Sequence, residues 1–171
     1  MFTEDAMEHA HGEGDSRETV PSTTEPAAVR DAASIAARVA SDEAAADAER
    51  ERLRTEGLPV LPLTAEEAIQ LRPGEVVHAE RRAALLERRR DGAPIGGVLY
   101  LTSHRLLHLG AAGLQEISLT DIADVGVALE RLLLVEGTDG SDLAIEVDAP
   151  RLLRVQVSAA RAAARERDQP A

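Results

Sequence analysis

The sequence predicts a mainly β domain of seven short antiparallel strands, as a barrel or sandwich, with a C-terminal helix covering it and an acidic N-terminal extension. Three observations predict this. Short apolar runs recur at close spacing between residues 76 and 147, separated by Gly, Asp and Ser turn residues. In the last run Leu143, Ile145 and Val147 alternate with Ala144, Glu146 and Asp148, the period-two pattern of a half-buried strand. The period then changes: Leu153, Val157, Ala160 and Ala164 recur at helical spacing and form one apolar face.

Taken in order, residues 1–26 are polar, acidic and interrupted by Gly12, Gly14, Pro21 and Pro26. They bury too little apolar surface to offset ordering entropy, so a disordered acidic tail is expected. His9 and His11 lie there as a solvated pair. Residues 27–57 form an Ala-rich, charged segment without Pro, closed by Gly57, and helix is expected. Its apolar stripe, Ala32, Ile35, Ala36, Val39 and Ala40, is thin, so the helix is read as solvated, with pairing of that stripe to a partner or to itself as the alternative. Residues 58–67 make a linker and a short helix start. Pro59 and Pro62 impose an extended path, and four large apolar residues favour contact with the domain. Thr64 and Glu67 fit a capping box for a helix running through Ile69 and Leu71.

The domain proper is expected over 68–167. Strand-forming runs follow at 76–86, 97–102, 106–109, 114–119, 122–129, 132–135 and 143–147, with Asp91-Gly92 and Gly137-Thr138-Asp139-Gly140 as turns. Asp148 is the expected N-cap of the last helix and Pro150 lies in its first turn. Arg161, Arg165 and Arg167 load its C-terminal end, where cations favour the helix dipole. Residues 168–171 are read as a disordered tail.

Composition excludes several function classes. The 171 residues hold 31 Asp+Glu against 19 Lys+Arg, for a net charge of −12. General nucleic-acid or anionic-membrane binding is therefore not expected, because counterion release needs clustered positive charge. With no Cys there are no disulfides, thiolate metal sites or thiol nucleophiles. One Tyr, one Phe and no Trp leave no stacking platform for bases. The charge is uneven: residues 1–70 hold 16 acids and six Arg, a balance of −10, while 71–171 hold 15 acids and 13 Arg, a balance of −2. Every basic residue is Arg, and Asn is absent, the bias of GC-rich coding, so a high-GC bacterial source is expected. Neither a signal peptide nor an apolar run long enough to span a bilayer is present, and a cytoplasmic location is expected.

Chemistry-bearing patterns are sparse. Ser103 and His104 are adjacent, so in an extended chain their side chains diverge, and no nucleophile elbow surrounds them. His104 and His108 share no site in a strand-and-turn context. The acids Asp121, Asp124, Glu130, Asp139 and Asp142 are scattered at turns and strand ends, the ordinary solvated distribution. No Gly-rich phosphate loop occurs. Neither an enzyme nor a cofactor or metal site is expected. One concentrated feature is positive: Arg81, Arg82, Arg88, Arg89 and Arg90 stand in the first strand and its loop, interleaved with Glu80, Glu87 and Asp91. Arginine forks suit phosphate groups, which makes these five the candidate anion site.

Three segments resemble the GRAM branch of the pleckstrin-homology-like superfamily. They are Leu71-Arg72-Pro73-Gly74-Glu75-Val76-Val77, Gly96-Gly97-Val98-Leu99-Tyr100-Leu101-Thr102-Ser103-His104-Arg105-Leu106 and Ile117-Ser118-Leu119-Thr120-Asp121-Ile122-Ala123-Asp124-Val125. The resemblance covers residues 68–167 and implies a seven-stranded antiparallel barrel capped by an α-helix. The chain departs from that family in its scarcity of aromatics. In function the resemblance implies a non-enzymatic interaction or adaptor module that binds a protein partner. The alternative is peripheral membrane binding, with an anionic lipid headgroup held by the Arg-rich first hairpin as in similar lipid-binding domains. Sheet edges and the groove beside the capping helix are the places where such a fold takes a peptide strand. Opposite signs further suggest that the acidic arm shields the Arg hairpin at low salt.

Overall fold

The computed structural model describes residues 27–65, 68–86 and 93–169, with side chains from residue 31 onward. Helix α1 spans Ala27–Glu56. Seven strands follow, β1 (Val77–Leu86), β2 (Ile95–Thr102), β3 (Arg105–Gly110), β4 (Gly113–Ser118), β5 (Ile122–Ala128), β6 (Leu132–Gly137) and β7 (Asp142–Val147), then helix α2 (Pro150–Asp168). The strands form one antiparallel sheet in the order β4-β3-β2-β1-β7-β6-β5. A single 3-10 turn, Leu119–Asp121, carries the chain from one sheet edge to the other. The seven strands and the C-terminal helix fall where the alternation of apolar residues puts them.

The sheet curls around its main core. Leu85, Leu99, Leu101, Leu106, Leu133, Val135, Ile145 and Val147 are buried together from five strands, and Leu153, Val157, Ala160 and Ala164 of α2 close the cluster. A face built from both halves of the sheet and one helix stripe is what full burial of a half-apolar sheet requires. The convex face of β1–β3 has its own smaller core, in which Ile69, Val77, Tyr100 and Leu107 pack with Leu63 and Leu71. Tyr100 thus lies opposite its neighbours Leu99 and Leu101, as strand alternation demands. Gly97 is required by close approach: a Cβ there would meet the Leu109 carbonyl oxygen at 2.2 Å.

The segment after α1 is stitched to the sheet. Leu61 N–H donates to the Val77 carbonyl at 2.8 Å, and the His78 ring Nδ1 lies 2.7 Å from the Pro59 carbonyl. The short helix expected through Ile69 and Leu71 is not present over the described residues 68–71, which are turn and irregular chain, with one helical bond from Ile69 N–H to the Ala65 carbonyl at 3.0 Å. Thr64 donates its hydroxyl to the Glu80 carboxylate at 2.7 Å, and its expected capping partner Glu67 lies outside the described residues. Beyond it, Glu75 and Arg105 form a buried ion pair. The Arg105 Nε and Nη2 donate to the two Glu75 oxygens at 2.9 and 3.0 Å, and Nη2 also donates to the Gln70 carbonyl at 2.8 Å. Thr102 Oγ1 and Arg72 N–H complete the carboxylate's partners at 2.6 and 2.7 Å. The Gly-Glu and Thr-Ser-His-Arg segments are therefore one clamp, holding residues 70–76 against the β2–β3 turn.

Helix α1 differs from its expected solvated state. Residues 31–38 are exposed on every side, including Ala32, Ile35 and Ala36. The later turns dock, and the docking face is Asp42, Ala46 and Glu49, at helical spacing. Asp42 also corrects the expected cap of α2. Asp148 is not the N-cap; Ala149 holds that position in a left-handed conformation at φ 53° and makes no side-chain cap bond. The two carboxylate oxygens of Asp42 instead accept from Arg151 N–H at 2.8 Å and Leu152 N–H at 3.0 Å. A residue 109 positions away in sequence caps the helix.

Candidate functional site

Contacts of α1 place it along the free edge of the sheet. Arg38 forks onto Glu130 in the β5–β6 turn, with bonds of 2.9 to 3.2 Å. Glu43, Ala46 and Asp47 lie across a gap from Val127, and Arg50, Leu53 and Arg54 lie across it from Asp124 and Val125. Numbers rise along α1 as they fall along β5, so the two run antiparallel. From Arg38 to Arg54 the helix rises about 24 Å, and from Glu130 back to Asp124 the chain covers about 20 Å. The lengths match, and α1 forms a lip along β5 from Asp124 to the β5–β6 turn. Against α2 it runs parallel: Asp42 meets Arg151 and Leu152, and Glu49 accepts from the Gln156 amide at 2.8 Å.

Between lip and edge lies a groove in two adjoining parts, about 480 and 370 Å³. Arg50 and Arg154 line both. Val155, Ser158 and Ala159 of α2 form its floor, with Val125 at the strand side. Among the described residues strand β5 pairs with β6 and with no other strand. Its first carbonyls are covered, that of Ile122 by Arg165 Nη2 at 3.3 Å and that of Ala123 by Arg161. Burial lowers the Arg161 guanidinium's pKa from its ordinary value, with Arg165 adding repulsion. The edge from Asp124 onward faces the groove. An unpaired strand edge beside helical walls is the geometry that accepts an added strand.

Two acids are tuned by this arrangement. The Arg52 fork holds the Glu49 carboxyl below the ordinary carboxylate range against the opposing effect of burial; Gln156 and the charge of Arg81 help. Burial by itself would raise Glu75, but its bonds from Arg105, Arg72 and Thr102 together hold it below that range.

The five arginines of the candidate anion site fare unequally. Arg88, Arg89 and Arg90 lie outside the described residues. Arg81 pairs in register with Leu99 on the concave face, whereas Arg82 pairs with Val98 and is exposed on the convex face. Those two are therefore directed apart. Ser103 and His104, expected to diverge, do meet: Oγ lies 2.9 Å from Nδ1, because the β2–β3 turn folds them together. Ser103 is nevertheless buried and also accepts Val76 N–H at 3.1 Å, so its hydroxyl works as a brace for the turn. His108 is buried away from His104, with Nε2 lacking a partner among the described residues. No group of three metal-ligating side chains occurs among the described residues. Asp121 accepts Thr138 N–H through its main-chain carbonyl at 2.7 Å.

No protein-family model matches the chain, and no curated protein matches it. Solved structures do. One is the C-terminal domain of an unknown protein from Leishmania infantum, at 22% identity and TM-score 0.39, covering 51% of this chain and 81% of that one. Another is Inner Membrane Complex Sub-compartment Protein 3 from Toxoplasma gondii, at 15% identity and TM-score 0.41, covering 53% of this chain and 77% of that one. Among the described residues no helix is long and apolar enough to cross a membrane.

Sequence reasoning had pointed to edges and a groove beside the capping helix, but not to α1 as a wall. The residues it missed are Asp42, Arg50, Arg54 and Arg154. The available signal was the missing Ser, Thr, Asp or Asn at position 149, which leaves α2 in need of a cap from elsewhere.

Proposed function

We propose that this chain is a non-enzymatic adaptor module on a GRAM-type, pleckstrin-homology-like fold, cytoplasmic, binding an extended segment of a protein partner along β5. The observation that carries this reading is the unpaired β5 edge opening onto a groove walled by α1 and floored by α2. Main-chain bonds to the edge give affinity, and the walls select side chains on alternate positions of the added strand. The other sheet edge, β4, has no helix among its principal neighbours and offers no such wall.

The test is an amide-resolved titration of the full chain with strand-forming octapeptides: neutral (Val-Ser)4, acidic (Val-Glu)4 and basic (Val-Lys)4. At least one should shift amides 124–128 of β5 and 154–159 of α2 while leaving β4 unmoved. Shifts confined to β4, or none from any peptide, defeat the reading. The headgroup alternative is examined by sedimentation with phosphatidylserine vesicles. Binding lost on combined Arg88→Ala, Arg89→Ala and Arg90→Ala would assign the hairpin to lipid instead.

A further inference from the structure

The larger part of the groove is electrostatically unlike the rest of the chain, whereas the smaller part also carries Glu43 and Asp47. In a protein of net charge −12, the walls of its larger part carry Arg50, Arg54 and Arg154 against Asp124 alone. Arg154 has no hydrogen-bond or ion-pair partner among the described residues. Arg50 and Arg54 pair with Asp47 and Glu51, each three positions back on the same helix and each in an exposed pair. Exposed pairs of that kind exchange readily for a better partner. A neutral strand in the groove would leave Arg154 uncompensated. A basic strand would bring like charges together where water is partly displaced.

Spacing points the same way. Arg50 and Arg54 are four residues apart, a rise of about 6 Å along α1. Alternate residues of a strand are about 6.6 Å apart. Because α1 runs alongside β5, a strand added to that edge presents every second side chain to the helix at nearly the interval of its arginines. The intervening side chains belong to the opposite face of the extended sheet.

We infer that the segment taken along β5 is acidic, with carboxylates at alternate positions meeting Arg50 and Arg54 on α1 and Arg154 on α2. This inference rests on the reading of β5 as a docking edge and specifies its partner. Two of the three arginines come from α1, so the docked helix supplies most of the recognising charge as well as a wall.

The test uses the full chain and the same three octapeptides with a fluorescent label, read by anisotropy at low and physiological salt. The acidic peptide should bind at least tenfold more tightly than the neutral one, and its affinity should fall as salt rises. Arg154→Ala should weaken the acidic peptide severalfold and leave the neutral peptide unchanged; Arg50→Ala with Arg54→Ala should do the same. Circular dichroism of each variant confirms an intact fold. If the neutral or basic peptide binds as tightly as the acidic one while shifting β5 amides, the acidic preference is overturned and the docking edge stands. If no peptide shifts β5, both fall together.

Discussion

Two of the polar attachments that hold the N-terminal chain to the rest of the molecule, the Glu75–Arg105 clamp and the α1–α2 seam, differ in depth. The Glu75–Arg105 clamp is buried, with side-chain exposures of 0% and 8%. Every oxygen of that carboxylate has a protein donor. The α1–α2 seam uses the same residue types, yet Arg151 and Glu43 at its margin are 23% and 61% exposed, and Ala46 is the one buried apolar residue α1 contributes among those described. Chemically alike contacts therefore have unlike worth. A buried ion pair costs little extra while intact and much when broken, because the survivor is left charged and dry. At the margin, water replaces a lost partner. The clamp belongs to the fold; the seam is expected to open locally by itself.

The largest expected effect follows from breaking the clamp. Glu75→Gln leaves Arg105 with only Glu116, a 44% exposed carboxylate, as its counter-ion and should cost about 3 kcal/mol, the lower end for a broken buried pair, measured as a lowered urea midpoint. Acid supplies an independent check. The folded Glu75 carboxyl lies below its ordinary value of 4.5, so its stabilisation is complete above that pH and is lost as pH falls through the folded pKa. The stability gap between wild type and Glu75→Gln should therefore be constant near neutrality and shrink below about pH 4.5. A gap that stays constant into strong acid would show that the pair contributes no pH-linked stability.

Asp42→Ala should act at the seam and cost less. Loss of a cap is worth about 0.5–2 kcal/mol, and here the loss is expected to appear as local opening. Amide exchange should accelerate at Arg151, Leu152 and the docked turns of α1, while β2, β3 and β6 keep their protection. If exchange rises equally throughout the sheet, α1 is part of the cooperative unit and the distinction between the two attachments fails.

The contrast also explains what the sequence made legible. The seven strands and α2 announce themselves because apolar residues repeat with the period of each element, as Leu143, Ile145 and Val147 do. The clamp sits inside recognisable segments, Gly74-Glu75 and Thr102 to Arg105, although nothing local says that they touch. The seam left almost no trace. Its docking face, Asp42, Ala46 and Glu49, has the composition of a solvated surface, and hydropathy patterns cannot distinguish a carboxylate in water from one capping a distant helix. Charge in the groove was hidden for a related reason: Arg50, Arg54 and Arg154 are scattered over two helices, while the contiguous Arg88-Arg89-Arg90 run drew the eye.

The smallest expected effect lies at the far end of the lip. Arg38 is 55% exposed and its partner Glu130 is 22% exposed, so their fork is nearly a surface contact despite its three bonds. Next to it Leu129 stands 82% exposed in a left-handed conformation at φ 58°, a geometry that costs a non-glycine residue about 1–3 kcal/mol. The ion pair anchors that turn to α1, and it is the last contact before the helix runs free. A double-mutant cycle of Arg38→Ala and Glu130→Ala should return a coupling of about 0.2–1 kcal/mol that diminishes with salt. Exchange of amides 31–38 should rise in either variant, because a projecting half-helix without its tether frays. A salt-insensitive coupling near the clamp's magnitude would mean that the lip is as firmly built as the core. The groove would then be a fixed slot, and α1 could not move to admit a partner strand.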